Sequence, residues 1–129
     1  MKILKRTFPK TRNAYSYKQM LELNILIMQA FLPEAFTNKE RDILVLYCMH
    51  SKSPKDVFSR ATKQAVLKAS GLKDGITLNE YNKRLRNKMG FIYSTAIKDW
   101  QINPMFMIPD YVDGLELSLI INKRDVLDR

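Results

Sequence analysis

The sequence predicts a mostly helical α+β domain in which the helices come first and a short β-ribbon follows. Three observations support this prediction. Apolar residues recur at helical spacing in four segments before residue 90, and capping signals, proline or glycine mark the ends of those segments. Beyond residue 90 the apolar residues form short runs typical of strands. A chain of 129 residues, 46% of them hydrophobic, is large enough for one domain with a buried core.

The chain divides by composition into three regions. Residues 1–16 are expected to form an extended basic arm, because they carry five Lys or Arg side chains and Pro9 excludes a continuous helix. Residues 17–122 are expected to form the single domain, and residues 123–129 a charged tail.

The first helix is predicted for Tyr17–Leu32, because Pro33 disfavours helical backbone at the residue before it. Its apolar residues cover more than one face, which favours burial on several sides or contact with a second subunit. The second helix is predicted for Asn38–His50. Thr37 and Glu40 have capping-box spacing, in which each side chain accepts a hydrogen bond from the other's backbone N–H.

The third helix is predicted for Thr62–Ser70, preceded by a short strand or turn at Val57-Phe58. An alternative is one long helix that starts at Ser53-Pro54 and runs to Ser70, since proline is favoured in a first helical turn. Gly71 then has the position of a left-handed helix cap.

The fourth helix is predicted to run from Thr77 to about Met89. Residues 77–80 repeat the capping-box pattern, and Gly90 is expected to end the helix. At about 3.6 residues per turn, one face is apolar and the opposite face carries cations and amides. The apolar face consists of Leu78, Tyr81, Leu85 and Met89. The polar face consists of Asn79, Lys83, Arg84, Arg86 and Asn87.

Two strands are predicted after this helix, Phe91–Tyr93 and Trp100–Ile102. Residues 94–98 form the loop tip between them, and Asn103-Pro104 closes the ribbon. Further along, Asp113-Gly114 is typical of a hairpin turn. Leu115–Ile121 alternates more regularly than any other stretch of the chain and predicts an additional strand.

The charge of the chain favours an anionic partner. It has 22 Lys and Arg against 13 Asp and Glu, a formal charge of +9 and a pI near 9.7. Nucleic acid is the first class of partner that this balance indicates. An anionic membrane surface and an acidic protein are alternatives, and a surplus that serves only solubility is another.

Two features indicate the compartment. The only cysteine, Cys48, lies in an apolar run and is expected to be a buried, reduced thiol, which indicates a reducing compartment. The basic N-terminus lacks an apolar signal segment, and residues 20–32 are too short and too polar to span a bilayer. We therefore expect a cytoplasmic protein with no membrane partner.

The predicted order of two helices, a turn, a further helix and a ribbon is that of a winged helix-turn-helix domain with an additional N-terminal helix. In such domains the helix after the turn enters the major groove of DNA. Asn side chains can read adenine edges, Arg can read guanine edges, and both Lys and Arg can hold phosphates. We therefore expect double-stranded DNA as the partner. The candidate DNA-binding residues are Thr77, Asn79, Lys83, Arg84, Arg86, Asn87, Lys98, Lys5 and Arg6.

Three segments carry a likeness to known proteins. Ala65–Leu72 ends a short helix in Gly plus an aliphatic residue, Tyr81–Ile92 ends a basic helix in Met-Gly-Phe-Ile, and Trp100–Pro104 closes a strand on Asn-Pro. Together they resemble the winged-helix domains of plasmid and phage proteins, such as the RepL-type replication proteins. The resemblance implies a role in plasmid or phage replication or in transcription control.

No enzymatic activity, cofactor or metal is expected. The only histidine, His50, lies at a helix end, and Asp110, Asp113 and Glu116 cluster near a turn, where acids are usually turn formers. The rival hypothesis is a structural or assembly protein of a phage virion. It would use the winged helix to dock a protein, and helix 17–32 to form a homodimer or larger assembly.

Overall fold

The computed structural model describes residues 2–6 and 15–123. Within them it has four α-helices followed by one antiparallel pair of strands. The helices are α1 (Tyr17–Met28), α2 (Asn38–His50), α3 (Arg60–Ser70) and α4 (Gly75–Asn87), and the strands are β1 (Phe91–Ser94) and β2 (Asp99–Ile102). The predicted α+β class, with helices first and a ribbon after them, is confirmed. Residues 1 and 7–14 of the predicted arm and 124–129 of the predicted tail lie outside the described residues.

The first two helices start where local capping places them. The Ser16 hydroxyl accepts the Gln19 N–H at 3.1 Å, and α1 passes into a 3-10 turn, Gln29–Phe31, before the proline. The predicted capping box of α2 is confirmed. The Thr37 hydroxyl accepts the Glu40 N–H at 3.2 Å, and the Glu40 carboxylate accepts the Thr37 N–H at 2.8 Å.

The third and fourth helices start earlier than predicted. Ser59 caps α3, so this helix begins two residues before Thr62, and a 3-10 turn at Pro54–Asp56 makes the long-helix alternative wrong. Gly71 ends α3 with φ +71°, the predicted left-handed cap. The predicted capping box at residues 77–80 is wrong. The Asp74 carboxylate accepts the N–H and the hydroxyl of Thr77 at 2.9 and 3.0 Å, and this cap starts α4 at residue 75.

The end of α4 also differs from the prediction. The helix ends at Asn87, and Met89 adopts the left-handed conformation with φ +67°. Position 90 favours glycine because the backbone there lies close to Leu85 and leaves little room for a side chain. Its N–H donates to the Leu85 carbonyl at 2.8 Å, and a Cβ atom at Gly90 would lie 3.1 Å from Leu85 Cδ2.

The β-ribbon has the predicted position, and its strands pair from Phe91 opposite Ile102 to Ser94 opposite Asp99. Asn103 closes it. The Asn103 N–H donates to the Gly90 carbonyl at 3.0 Å, and the Asn103 side-chain amide donates to the Met89 carbonyl at 3.0 Å. These bonds tie the end of β2 to the turn between α4 and β1.

One core joins the helices to the ribbon. Its fully buried members include Leu21, Ile25, Ile43, Leu44, Tyr47, Val66, Leu85, Phe91, Ile102 and Phe106. Cys48 is buried, as predicted, and burial raises the pKa of its thiol to about 12. An ion pair of 2.7 Å between the Lys88 ammonium and the Glu40 carboxylate connects the end of α4 to the start of α2.

The predicted strand Leu115–Ile121 is wrong for this chain by itself. Residues 113–123 have no regular secondary structure, and the apolar side chains among them are exposed. A strand requires a neighbouring backbone as hydrogen-bond partner. No backbone hydrogen bond joins this segment to any other described residue.

Candidate nucleic-acid interface

The outer face of α4 is exposed and free of contacts with the core. On this face lie Ile76, Asn79, Glu80, Lys83, Arg84 and Asn87. Four of them are predicted DNA-binding residues: Asn79, Lys83, Arg84 and Asn87. Amide and cationic groups on an exposed helix face are the groups that contact base edges and phosphates.

The inner face of α4 differs from the prediction at two positions. Leu78 and Leu85 are buried, as expected, whereas Met89 lies beyond the helix and is 43% exposed. Asn82 takes the remaining inner position and is fully buried. The Tyr47 hydroxyl donates to Asn82 Oδ1 at 2.8 Å, and Asn82 Nδ2 has no partner among the described residues. In the sequence, the spacing of four residues between Leu78 and Asn82 was the signal that both lie on the same face of the helix.

Arg86 lies at the edge of α4 that faces β2, and not on the outer face where the helical wheel placed it. The side chain is half-buried, with its guanidinium carbon 5.1 Å from the Phe58 ring centre and 5.6 Å from the Trp100 ring centre. Its Nε is buried without an acceptor, and no ion pair to Arg86 occurs within the described residues. The guanidinium therefore lies over two aromatic rings and has no carboxylate partner among the described residues.

We call Phe58, Trp100, Arg86 and Lys63 the junction cluster, because they join the start of α3, the end of α4 and the ribbon. The Lys63 ammonium lies 5.2 Å from the Phe58 ring centre. The Phe58 ring also packs edge-on against Phe91 in the core, with 5.0 Å between ring centres. Sequence reasoning did not identify Phe58, Trp100 or Lys63 as site residues, because they come from three separate segments.

The charges on the outer face are partly compensated. The Lys83 ammonium lies 3.3 Å from the Glu80 carboxylate, and both side chains are more than half exposed. The Arg84 guanidinium lies 5.0 Å from the Tyr81 ring centre and is exposed. Because an exposed ion pair is worth only about 0–1 kcal/mol, Lys83 can leave Glu80 for another anion at little cost.

The remaining predicted site residues have varied positions. Lys98 is exposed at the loop tip of the ribbon, where its φ of +56° turns the chain into β2. Thr77 is half-buried and its hydroxyl is engaged with the Asp74 carboxylate, whose pKa is lowered by the hydrogen bonds from Thr77. Lys5 and Arg6 are exposed and outside regular structure.

The positive charge of Arg86 affects the pKa of the buried Tyr47. Burial raises the pKa of Tyr47 to about 12, although the hydrogen bond to Asn82 and the nearby positive charge of Arg86 act in the opposite direction. Tyr47 is therefore a neutral hydrogen-bond donor at physiological pH, and it holds Asn82 and with it the middle of α4.

Comparisons with protein-family models, with curated proteins and with solved structures found no match for this chain. In residues 2–6 and 15–123, no three His, Cys, Asp or Glu side chains come together as metal ligands would. Over the same residues, no helix is both long enough and apolar enough to cross a membrane.

Proposed function

We propose that this chain is a non-enzymatic DNA-binding protein built as a winged helix-turn-helix domain. In this proposal α4 is the recognition helix, α2 and α3 support it, and β1 and β2 form the wing. The resemblance to RepL-type and other plasmid and phage proteins favours a role in replication or transcription control.

The observation that carries the proposal is the position of cations on both sides of the junction between α4 and the ribbon. Arg86 and Lys63 lie in the junction cluster without a carboxylate partner among the described residues. Lys83 and Asn87 lie on the adjoining outer face of α4, and Lys98 at the tip of the ribbon. A duplex whose groove receives α4 would place its phosphates along this line, and the amides of α4 against base edges.

The first test is the affinity for a fluorescent DNA duplex, measured by anisotropy over a series of salt concentrations. The proposal expects binding that weakens as salt rises, with a log–log slope of about −0.9 for each phosphate contact. Replacing Lys83 with Ala should reduce the slope by about one unit. Lys18→Ala, which removes an exposed lysine from α1, is the matched control and should leave the slope unchanged.

Two results would refute the proposal. One is the absence of duplex binding at low salt. The other is an equal change of slope in the Lys83→Ala and Lys18→Ala variants, because the binding would then follow net charge and not the face of α4.

A second candidate function is protein docking in a phage particle, and a specific observation favours it. Ile76 is 75% exposed on the outer face of α4, beside the Glu80–Lys83 ion pair. An exposed apolar side chain next to compensated charges is more typical of a protein contact than of a phosphate contact. In this case Ile76→Asp would abolish association with the partner, and Lys83→Ala would have little effect on it.

A further inference from the structure

Two exposed apolar surfaces have no role in the proposed DNA interface. The first is the outer face of α1 and of the 3-10 turn after it, formed by Leu23, Leu26, Ile27 and Phe31. The second is the segment of residues 113–123, which we call the C-terminal segment. Its apolar side chains are 43–84% exposed and are Leu115, Leu117, Leu119, Ile120 and Ile121. Extended apolar surface of this kind usually marks a contact with another molecule.

The C-terminal segment has the composition of a strand but has no partner strand in residues 2–6 and 15–123. Its odd-numbered positions from 115 to 121 are all Leu or Ile, so that in an extended backbone they would share one face. Its backbone forms no hydrogen bond with any described residue. The pattern therefore specifies a strand whose partner is not found among the described residues of one chain.

We propose that the C-terminal segments of two copies of this chain pair as antiparallel strands and form a homodimer. Residues that lie opposite each other in an antiparallel pair project from the same face. The apolar faces of the two segments therefore coincide only when odd-numbered positions lie opposite odd-numbered positions. A two-fold axis through the pair meets this requirement.

Charge selects the register among those that remain. With Ser118 opposite Ser118 of the second copy, Leu117 lies opposite Leu119 and Leu115 opposite Ile121. The same register places Asp113 opposite Lys123, so that the two ends of the ribbon carry opposite charges face to face. A shift by two residues in either direction places Asp113 opposite Ile121 or Lys123 opposite Leu115, and the charge pairing is lost.

A two-stranded ribbon by itself is marginally stable in water, so its apolar face requires cover. The chain reaches the C-terminal segment past the start of α1, where the Tyr17 hydroxyl donates to the Ile108 carbonyl at 2.6 Å. The exposed face of α1 begins two turns further along the same helix. We assign this face, with Leu26 at its centre, as the surface on which the leucines of the ribbon pack.

The first experiment measures the mass of the full chain in solution by light scattering coupled to size-exclusion chromatography. The wild type should have twice the chain mass of 15.1 kDa. Leu117→Asp should yield the monomer, and Leu26→Glu should raise the dimer dissociation constant by roughly tenfold or more. Leu4→Asp removes an apolar side chain that is 79% exposed outside the proposed interface, and this control should remain dimeric.

Circular dichroism separates loss of the dimer from loss of the fold, since the C-terminal segment contributes no buried residue to the core. A monomeric wild type would overturn the proposal, as would a Leu117→Asp variant that stays dimeric. An unchanged dissociation constant for Leu26→Glu would overturn the assignment of the ribbon to α1. These measurements contain no DNA, so their outcome is independent of the proposed DNA binding.

The second experiment tests the register by disulfide formation. Opposite residues in an antiparallel pair have Cβ atoms about 4.5–5.5 Å apart, near the distance that a disulfide spans. Ser118→Cys should cross-link with itself under mild oxidation. Glu116→Cys should not do so alone, but should cross-link when mixed with Ile120→Cys, because these positions face each other. The native Cys48 is buried and does not compete. Cross-linking that is equal for Ser118→Cys and Glu116→Cys alone would refute the register.

Discussion

Replacing Arg86 with Ala should loosen the ribbon from the helices as well as weaken DNA binding. The side chain contacts the Phe58 and Trp100 rings at 5.1 and 5.6 Å. Each such cation–ring contact contributes about 0.5–2 kcal/mol, depending on how dry it is. Part of this gain is offset, because the buried Nε of Arg86 lacks an acceptor and its removal relieves a desolvation cost of about 1 kcal/mol or more. We therefore expect a net loss of about 1–2 kcal/mol in the free energy of unfolding.

Urea denaturation measures this loss, and Trp100, the only tryptophan, reports the ribbon directly. Its emission should move to longer wavelength in Arg86→Ala, because the ring gains contact with water. Arg86→Lys keeps the charge but loses the flat guanidinium, so it should restore most of the salt dependence of DNA binding and only part of the stability. Arg84→Ala is the control for the stability measurement, since the Arg84 side chain is exposed and contacts one ring, that of Tyr81.

The reasoning would be refuted if Arg86→Ala had the wild-type unfolding midpoint and an unchanged Trp100 emission. In that case the guanidinium would not hold the ribbon. If stability fell but the salt slope of DNA binding stayed the same, Arg86 would have a structural role alone, and the phosphate contacts of the proposal would have to come from other cations.

Three further predictions concern the contacts between α2 and α4 and the cap that ends α3. Glu40→Gln should destabilise the chain by about 1–3 kcal/mol, because it weakens the α2 cap and leaves the Lys88 ammonium without its carboxylate. The Lys88 ammonium and the Thr37 amide outweigh burial and lower the pKa of Glu40 below its usual 4.5. The stabilising effect of the Glu40 carboxylate is therefore complete above about pH 4.5 and is lost as the pH falls through its lowered pKa. In the wild type, the urea midpoint should decline over this acid range, and in Glu40→Gln this decline should be absent. Tyr47→Phe should cost about 1–3 kcal/mol in urea denaturation, because Asn82 Oδ1 loses its buried donor; an unchanged midpoint would contradict the importance of this bond. Gly71→Ala should cost about 1 kcal/mol in thermal unfolding, since φ is +71° there although a Cβ atom would meet open space; a stabilised variant would contradict this account.

The sequence correctly predicted the features that depend on residues near one another in the chain. The capping box at Thr37 and Glu40, the left-handed cap at Gly71 and the ribbon closed by Asn103 each involve groups separated by only a few residues or by a single turn. The fourth helix shows the limit of the same reasoning. The sequence offers two possible N-caps for this helix, Asp74 and Thr77. Asp74 is the N-cap in the structure, where its carboxylate accepts hydrogen bonds from both the amide and the hydroxyl of Thr77.

Much of the candidate site became visible only in the tertiary structure. Asn82 is buried because Tyr47, 35 residues away, supplies its hydrogen bond. Arg86 leaves the outer face of α4 because rings from the turn before α3 and from β2 meet its guanidinium.

The sequence by itself determined the order of the elements, the local caps and the exposed polar face of α4, because a helix carries the information for its own ends and faces. Tertiary structure decided which cations are held by rings, which amide is buried and whether an alternating segment becomes a strand. Leu115–Ile121 illustrates the reason. Alternation defines which side chains share a face, but a strand also requires a second backbone, and the described part of one chain does not provide it.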